Sequence, residues 1–124
     1  MKESKPDFTQ FVGNKEWLSK ISVPVVLFFW CGWREKCNYM RVLIERLMKD
    51  YPKINFYWVD ADVDGGICKE FFVPDVPALL ILKDGKEMIR FTCASSEGGI
   101  RHHLDELIKT MERPAESANI SLDF

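Results

Sequence analysis

Apolar positions along the chain change their spacing several times, and each spacing predicts an element. Residues 23–30 are apolar with almost no interruption, which is typical of a central strand covered on both faces. From Cys37 to Met48 the apolar side chains recur at helical spacing and form one broad stripe that includes Val42. We expect this helix to end before Pro52, because the residue preceding a proline is pushed out of the helical region.

The middle of the chain continues this alternation of strands and helices. Residues 54–60 form a second β-rich run, and a short helix is expected from Asp64 to about Phe71. The segments 78–83 and 87–92 flank Asp84-Gly85, a dipeptide that favours a tight hairpin turn. The order of elements predicts parallel strands first and an antiparallel pair last.

Two shorter elements precede the first long strand, and one long helix closes the chain. We expect a strand near residues 8–11 and a short helix that includes Trp17, and we place Trp17 and Trp58 in the core. Apolar residues at helical spacing over 100–111 predict the last helix. The sequence thus predicts an α/β three-layer α/β/α sandwich with a mixed sheet, formed by one domain over residues 1–113, and a flexible polar tail over 114–124.

Composition excludes several classes of function. The chain of 124 residues is 47% hydrophobic and 29% charged, the balance of an ordered globular domain. A net charge of −2 without a basic cluster argues against binding to nucleic acid. The first apolar run lies too deep and is too short for a secretory signal or a membrane span, so we expect no membrane association and a cytoplasmic protein.

The four cysteines, Cys31, Cys37, Cys68 and Cys93, match no zinc spacing, so we expect no metal site. In a reducing compartment they are expected to be free thiols rather than a disulfide framework. For Cys68, on the short helix, we expect a packing role.

The segment Trp33-Arg34-Glu35-Lys36-Cys37 follows the buried strand and opens the long helix, where a dithiol motif would lie. With Val76-Pro77 and the turn at Lys83-Asp84-Gly85-Lys86, it resembles the thioredoxin family over residues 8–110. The resemblance implies the thioredoxin fold and a cis peptide bond before Pro77. It further implies that the backbone of Val76 is exposed, so that it can pair with an extended peptide.

The chemistry that this resemblance implies is incomplete in the present chain. Arg34 holds the place of the nucleophilic cysteine, and Phe28 that of a buried acid which assists proton transfer. Only Cys37 remains, in the resolving position. A dithiol enzyme needs an exposed thiolate at the helix N-terminus, so dithiol reductase activity is not expected.

The residues that would bind a peptide in the thioredoxin family are retained in this chain, and they favour a protein-binding or adaptor module. An extended segment of another protein would lie in a shallow groove, with Arg34 and Lys36 available to acidic groups. No cofactor is expected, and the protein would be a monomer or a weak dimer. The predicted groove consists of Trp33, Arg34, Ala61, Val76, Pro77, Thr92 and Cys93.

The alternative is an atypical thiol–disulfide oxidoreductase. Cys37 would work with Cys31, with Cys93 or with glutathione, and a disulfide requires Cα atoms within about 7 Å. A second alignment places residues 30–34 on the active-site pentapeptide, but it shortens the strand and lengthens the spacing to Pro77. For Cys31 and Cys37 we favour the simpler interpretation, in which both are small buried residues that only pack.

Overall fold

The computed structural model of the protein describes residues 8–92 and 96–112, the last two as backbone only. Strands and helices alternate along these residues in the predicted order. In chain order they are β1 (Thr9–Gln10), α1 (Lys15–Ser19), β2 (Val25–Trp30), α2 (Glu35–Asp50), β3 (Asn55–Asp60), α3 (Gly65–Glu70), β4 (Ala78–Lys83), β5 (Lys86–Thr92) and α4 (Glu97–Glu112). The tail predicted for 114–124 lies outside the described residues.

These strands form one mixed sheet in the order β1-β3-β2-β4-β5. Strands β1, β3 and β2 are parallel, whereas β4 runs antiparallel to both β2 and β5. Strand β2 is central, because it pairs with β3 over its whole length and with β4 from Val25 to Phe29. The predicted antiparallel hairpin therefore closes one edge of the sheet.

Two apolar cores cover the two faces of the sheet, so the molecule has three layers. Side chains from α2 and α4 pack on one face, and side chains from α1 and α3 pack on the other. Successive residues of a strand point to opposite faces, which is why the uninterrupted apolar run of β2 serves both cores. The first core takes Val26, Phe28 and Trp30, and the second takes Val25, Leu27 and Phe29.

Helix α2 buries the face that the apolar stripe predicts, with one exception. Its buried residues are Cys37, Met40, Leu43, Ile44 and Leu47. Val42 is exposed, so its predicted place in the stripe is wrong. At about 100° per residue, position 42 lies on the side of the helix opposite to positions 37, 40 and 44.

Trp17 is partly exposed, which corrects its predicted place in the core, whereas Trp58 is buried as predicted. Helix α1 has five residues and buries only Leu18. Its Trp17 ring packs at the margin instead, with ring centroids 5.7 Å from both Phe11 and Tyr57. A short helix against the edge of a sheet can turn only one side chain fully inward.

Asp84 and Gly85 connect β4 to β5 in the two-residue turn that the sequence predicts. Their φ angles are 55° and 80°, and Lys83 pairs with Lys86 across the turn. Positive φ at both central residues is the requirement of the turn type that suits the twist of a hairpin. Among the helices in the described part of the chain, none is long and apolar enough to cross a membrane.

Candidate functional site

The candidate site lies where β2 ends and α2 begins. Residues 31–34 connect the two elements, and the Ala61 N–H donates to the carbonyl of Trp30 at 2.8 Å, which brings the end of β3 beside them. The loop before β4 completes the surroundings of a pocket of about 220 Å³. Of the predicted groove residues, Trp33, Arg34, Ala61 and Val76 line this pocket.

Trp33 presents an oriented aromatic surface to solvent. Its side chain is 70% exposed, and its Nε1–H donates to Asp62 Oδ2 at 2.7 Å. The guanidinium of Arg34 lies 5.1 Å from the centroid of the indole ring, within the range of a cation–π contact. The two contacts hold the ring in place although most of its surface is free for another molecule.

Arg34 is the N-cap residue of α2, but its side chain makes no capping hydrogen bond. Its guanidinium crosses instead to the loop before β4, where Nη1 donates to Asp75 Oδ1 at 2.8 Å and to the carbonyl of Val76 at 3.0 Å. A hydrogen bond from the Val76 N–H, followed by the charge of Arg34, lowers the pKa of the Asp75 carboxyl. The N-cap position of α2 is therefore occupied by a cation that is paired with Asp75.

The peptide bond between Val76 and Pro77 is cis, as the resemblance implies. Both polar groups of the Val76 backbone are bonded within the chain, so the predicted pairing with an extended peptide requires these two hydrogen bonds to open. The Val76 N–H donates to Asp75 Oδ1 at 2.9 Å, and the Val76 carbonyl accepts from Arg34. The side chains of Asp75 and Arg34 therefore occupy both polar groups of the Val76 backbone.

Cys31 and Cys37 meet in the core, out of contact with solvent. Their side chains are 1% and 0% exposed, the Cys31 N–H donates to Cys37 Sγ at 3.4 Å, and the two sulfurs are 4.0 Å apart. Both are free thiols, because a disulfide would place the sulfurs about 2.05 Å apart. Burial raises the pKa of the Cys37 thiol to about 12, so it stays protonated at neutral pH.

The other predicted residues fall into three groups. Pro77 is buried directly after the cis bond, and Thr92 is exposed at the end of β5, opposite Ala78. Cys93 lies outside the described residues. Cys68 is buried in α3 as expected for a packing residue, and burial raises its pKa. Within residues 8–92 and 96–112, no group of three or more His, Cys, Asp or Glu side chains could hold a metal ion.

Asp75 is a functional candidate that lies outside the predicted groove residues. Its signal was present, since an acidic residue stands directly before Val76-Pro77 while a cation stands at the start of the facing helix. Asp62, which orients Trp33, gave a weaker signal because it is one of several acids after β3.

A larger pocket, of about 470 Å³, lies at the other end of α2 and contains none of the predicted site residues. Tyr51 and Asp105 line it, and the Tyr51 hydroxyl donates to Asp105 Oδ1 at 2.7 Å. Burial, followed by that acceptor, raises the pKa of Tyr51. The Tyr51 hydroxyl and the Asp105 carboxylate are thus bonded to each other.

Comparison with known proteins identifies the family. The thioredoxin family model matches residues 5–106, which is most of the chain. The chain belongs to the thioredoxin family. No two of the chain's four cysteines are three positions apart.

Individual relatives agree with this membership. The chain is 33% identical over 89 residues to Thioredoxin-1 of Saccharomyces cerevisiae, which covers 70% of this chain and 86% of that protein. It is also 33% identical over 69 residues to monothiol glutaredoxin-S17 of Arabidopsis thaliana, covering 56% of this chain but only 14% of that longer protein. The crystal structure of thioredoxin from Trypanosoma brucei brucei has a TM-score of 0.74 at 22% identity, covers 88% of this chain and 97% of that one, and shows the shared fold.

Proposed function

We propose that this member of the thioredoxin family is a protein-binding module that takes an extended segment of a partner into the groove between Trp33 and Val76. The observation that carries the proposal is a contrast in exposure. The side chain of Trp33 is 70% exposed beside the pocket, whereas the sulfurs of Cys31 and Cys37 are buried. An oriented aromatic surface suits contact with a partner, and thiols withheld from solvent do not suit electron transfer.

In this proposal the partner segment pairs its backbone with Val76 in the manner of an added strand. An apolar side chain of the segment packs on Trp33, and Arg34 and Lys36 contact acidic groups at its margin. No cofactor is needed, and the module acts as a monomer or a weak dimer. The free state of Cys31, Cys37 and Cys68 supports a reducing compartment such as the cytoplasm.

Selection of a random dodecapeptide phage library on the whole protein tests the proposal. We expect selected peptides to shift the backbone amide signals of Ala61 and Val76 in ¹⁵N–¹H spectra. Trp33→Ala should weaken their binding by about tenfold or more, as loss of an aromatic anchor does. Tyr39→Ala, which removes an exposed aromatic side chain of α2 outside the pocket, is the matched control and should change little. Equal binding by wild type and Trp33→Ala would contradict the proposal.

An atypical thiol–disulfide oxidoreductase is the second candidate, and the 4.0 Å contact between the sulfurs of Cys31 and Cys37 favours it. In that reaction the two thiols would give up two electrons and two protons and form a disulfide, while a substrate disulfide would become two thiols. The high pKa and full burial of Cys37 oppose the initial attack.

Insulin reduction with thioredoxin reductase and NADPH separates the two candidates. The binding module should give no turnover above that of the reductase alone, and its thiol titre should not fall under mild oxidant. Turnover that Cys37→Ser abolishes and Cys68→Ser preserves would establish the oxidoreductase and overturn the binding module.

A further inference from the structure

The backbone of Val76 is the strand-pairing edge that the proposed function needs, and two charged side chains already occupy it. Asp75 Oδ1 accepts from the Val76 N–H at 2.9 Å, where the carbonyl of an added strand would accept. Arg34 Nη1 donates to the Val76 carbonyl at 3.0 Å, where the amide of an added strand would donate. The two side chains are joined to each other at 2.8 Å. Together they imitate one residue of a bound strand.

This pair can open without disturbing the fold. The side chain of Arg34 is 39% exposed and that of Asp75 is 68% exposed, and both belong to connecting segments rather than to the core. Exposed ion pairs contribute little to stability, since water and salt replace the contact readily. A competitor that forms hydrogen bonds with the same groups therefore displaces the pair at a small cost in free energy.

Displacement leaves one group in need of a partner. Once a strand takes the Val76 carbonyl, the guanidinium of Arg34 loses that acceptor, and it loses Asp75 as well if the carboxylate swings away from the Val76 N–H. A guanidinium has five donors and no acceptor, and a bound segment displaces water from the groove, so an acceptor on that segment is needed to replace these bonds. A carboxylate does so with charge-assisted hydrogen bonds, whereas a neutral or basic side chain leaves the cation unmatched.

On the basis of the proposed function, we infer that the Arg34–Asp75 pair closes this groove as an internal competitor of the partner. The partner is then an extended segment with an acidic side chain, which accepts the hydrogen bonds of Arg34 in place of Asp75. The pair then serves two purposes. It protects the edge of Val76 from unspecific strand pairing, and it selects segments by charge.

The same peptide library, selected separately on wild type, Asp75→Ala and Arg34→Gln, tests the inference. Peptides from wild type should share an Asp or Glu at one position, and its replacement by Asn or Gln should weaken binding to wild type by about tenfold. That replacement should matter less than about twofold for Arg34→Gln, whose cation is gone. Asp75→Ala should bind neutral peptides up to about fivefold more tightly than wild type, because the competing pair has been removed.

Arg46→Gln is the matched control, since Arg46 of α2 also belongs to an exposed ion pair, with Glu97 of α4, but lies outside the pocket. It should leave the discrimination between acidic and neutral peptides unchanged. Peptides that shift Val76 in wild type but bind equally well with Asp or Asn, or fail to gain from Asp75→Ala, would overturn the inference and leave the binding module standing. If no peptide shifts Val76 in any variant, Asp75→Ala included, the binding module itself fails.

Discussion

Phe72 lies in the turn that follows α3, with a φ angle of 55° and an exposed ring. Such a conformation is uncommon for a bulky residue, because the Cβ atom approaches the backbone closely. Arg90 holds this turn in place by donating to the carbonyls of Phe71 at 2.7 Å and Phe72 at 2.6 Å. The same arginine is paired with Glu87 at 2.7 Å, which keeps its guanidinium in position.

Replacing Phe72 separates the effect of the ring from that of the backbone. Phe72→Gly and Phe72→Ala both remove the ring, which lies 5.3 Å from Lys15 Nζ, but only alanine keeps the Cβ atom. We expect the glycine variant to be more stable than the alanine variant by about 0.5–1 kcal/mol, the left-handed penalty less the greater chain entropy of glycine. Urea unfolding measures the difference, and an alanine variant of equal or greater stability would contradict it.

Cys37 couples stability to alkaline pH. Its pKa is about 12 in the folded protein, against an ordinary value of 9.0. Below pH 9 the thiol is protonated in both the folded and the unfolded state, and its contribution to the free energy of unfolding is fully present. As the pH rises toward 12 the unfolded chain loses the proton first, so the free energy of unfolding falls. Burial of Cys68 and Tyr51 raises their pKa values and acts in the same direction.

The contribution of Cys37 can be isolated by comparing unfolding at pH 7 and pH 10. Wild type should lose more stability between these values than Cys37→Ala, which lacks the titrating thiol. Any constant effect of the substitution on packing cancels in this comparison. An equal loss in both proteins would show that the thiol does not titrate as its burial requires.

At the scale of elements, the hairpin turn between β4 and β5 packs closely against the end of α1. Gly85 has a φ angle of 80°, and a Cβ atom there would lie 2.8 Å from the Cα of Ser19. We expect Gly85→Ala to lower the free energy of unfolding by about 2–3 kcal/mol, from the left-handed conformation and the clash with backbone.

Gly66→Ala is the matched control for that substitution. Gly66 lies in α3, and a Cβ atom there meets nothing within 4 Å. Because alanine favours a helix over glycine, this variant should gain about 0.5 kcal/mol. Thermal unfolding of the two variants should therefore move in opposite directions, and a tolerated Gly85→Ala would mean that the turn relaxes away from α1.

Element boundaries could be predicted well wherever one local signal dominated. The Asp84-Gly85 turn and the end of α2 before Pro52 follow from backbone restrictions of single residues. Side-chain placement was less predictable, as Val42 and Trp17 show. An apolar residue type indicates a preference for the core, but the direction it faces depends on where neighbouring elements leave room.

At the scale of the whole molecule, helices cover both faces of the sheet. Phe28 and Phe29 are neighbours in β2, yet Phe28 belongs to the core under α2 and α4 and Phe29 to the core under α1 and α3. Phe28→Leu and Phe29→Leu should each lower the free energy of unfolding by about 1–2 kcal/mol, since both leave unfilled volume in a close-packed interior.

Val42→Ala provides the control, because Val42 is exposed on α2 and its truncation should change stability by less than about 0.5 kcal/mol. Denaturant unfolding of the three variants measures these differences. If one phenylalanine variant were as stable as the control, that face of β2 would not be covered as the structure has it.

Part of the candidate site could be predicted from the sequence, and part could not. The residues Trp33, Arg34, Ala61 and Val76 could be expected near one another, because the order of elements brings the end of β2 beside the loop before β4. The role of Asp75 could not be foreseen, since its contact with Arg34 joins residues 41 positions apart and depends on how a loop and a helix end approach. Neither periodicity nor motif specifies such a distance.

The amino-acid sequence alone established that no pair of cysteines has the dithiol spacing, that a cation stands at the start of α2, and that β2 is apolar throughout. These are properties of residue type and spacing. The burial of Cys37, its raised pKa and the closure of the Val76 edge by Arg34 and Asp75 emerged with the folded arrangement. Exposure to solvent and contacts between distant residues are set by packing in three dimensions, and the chemistry of this site depends on both.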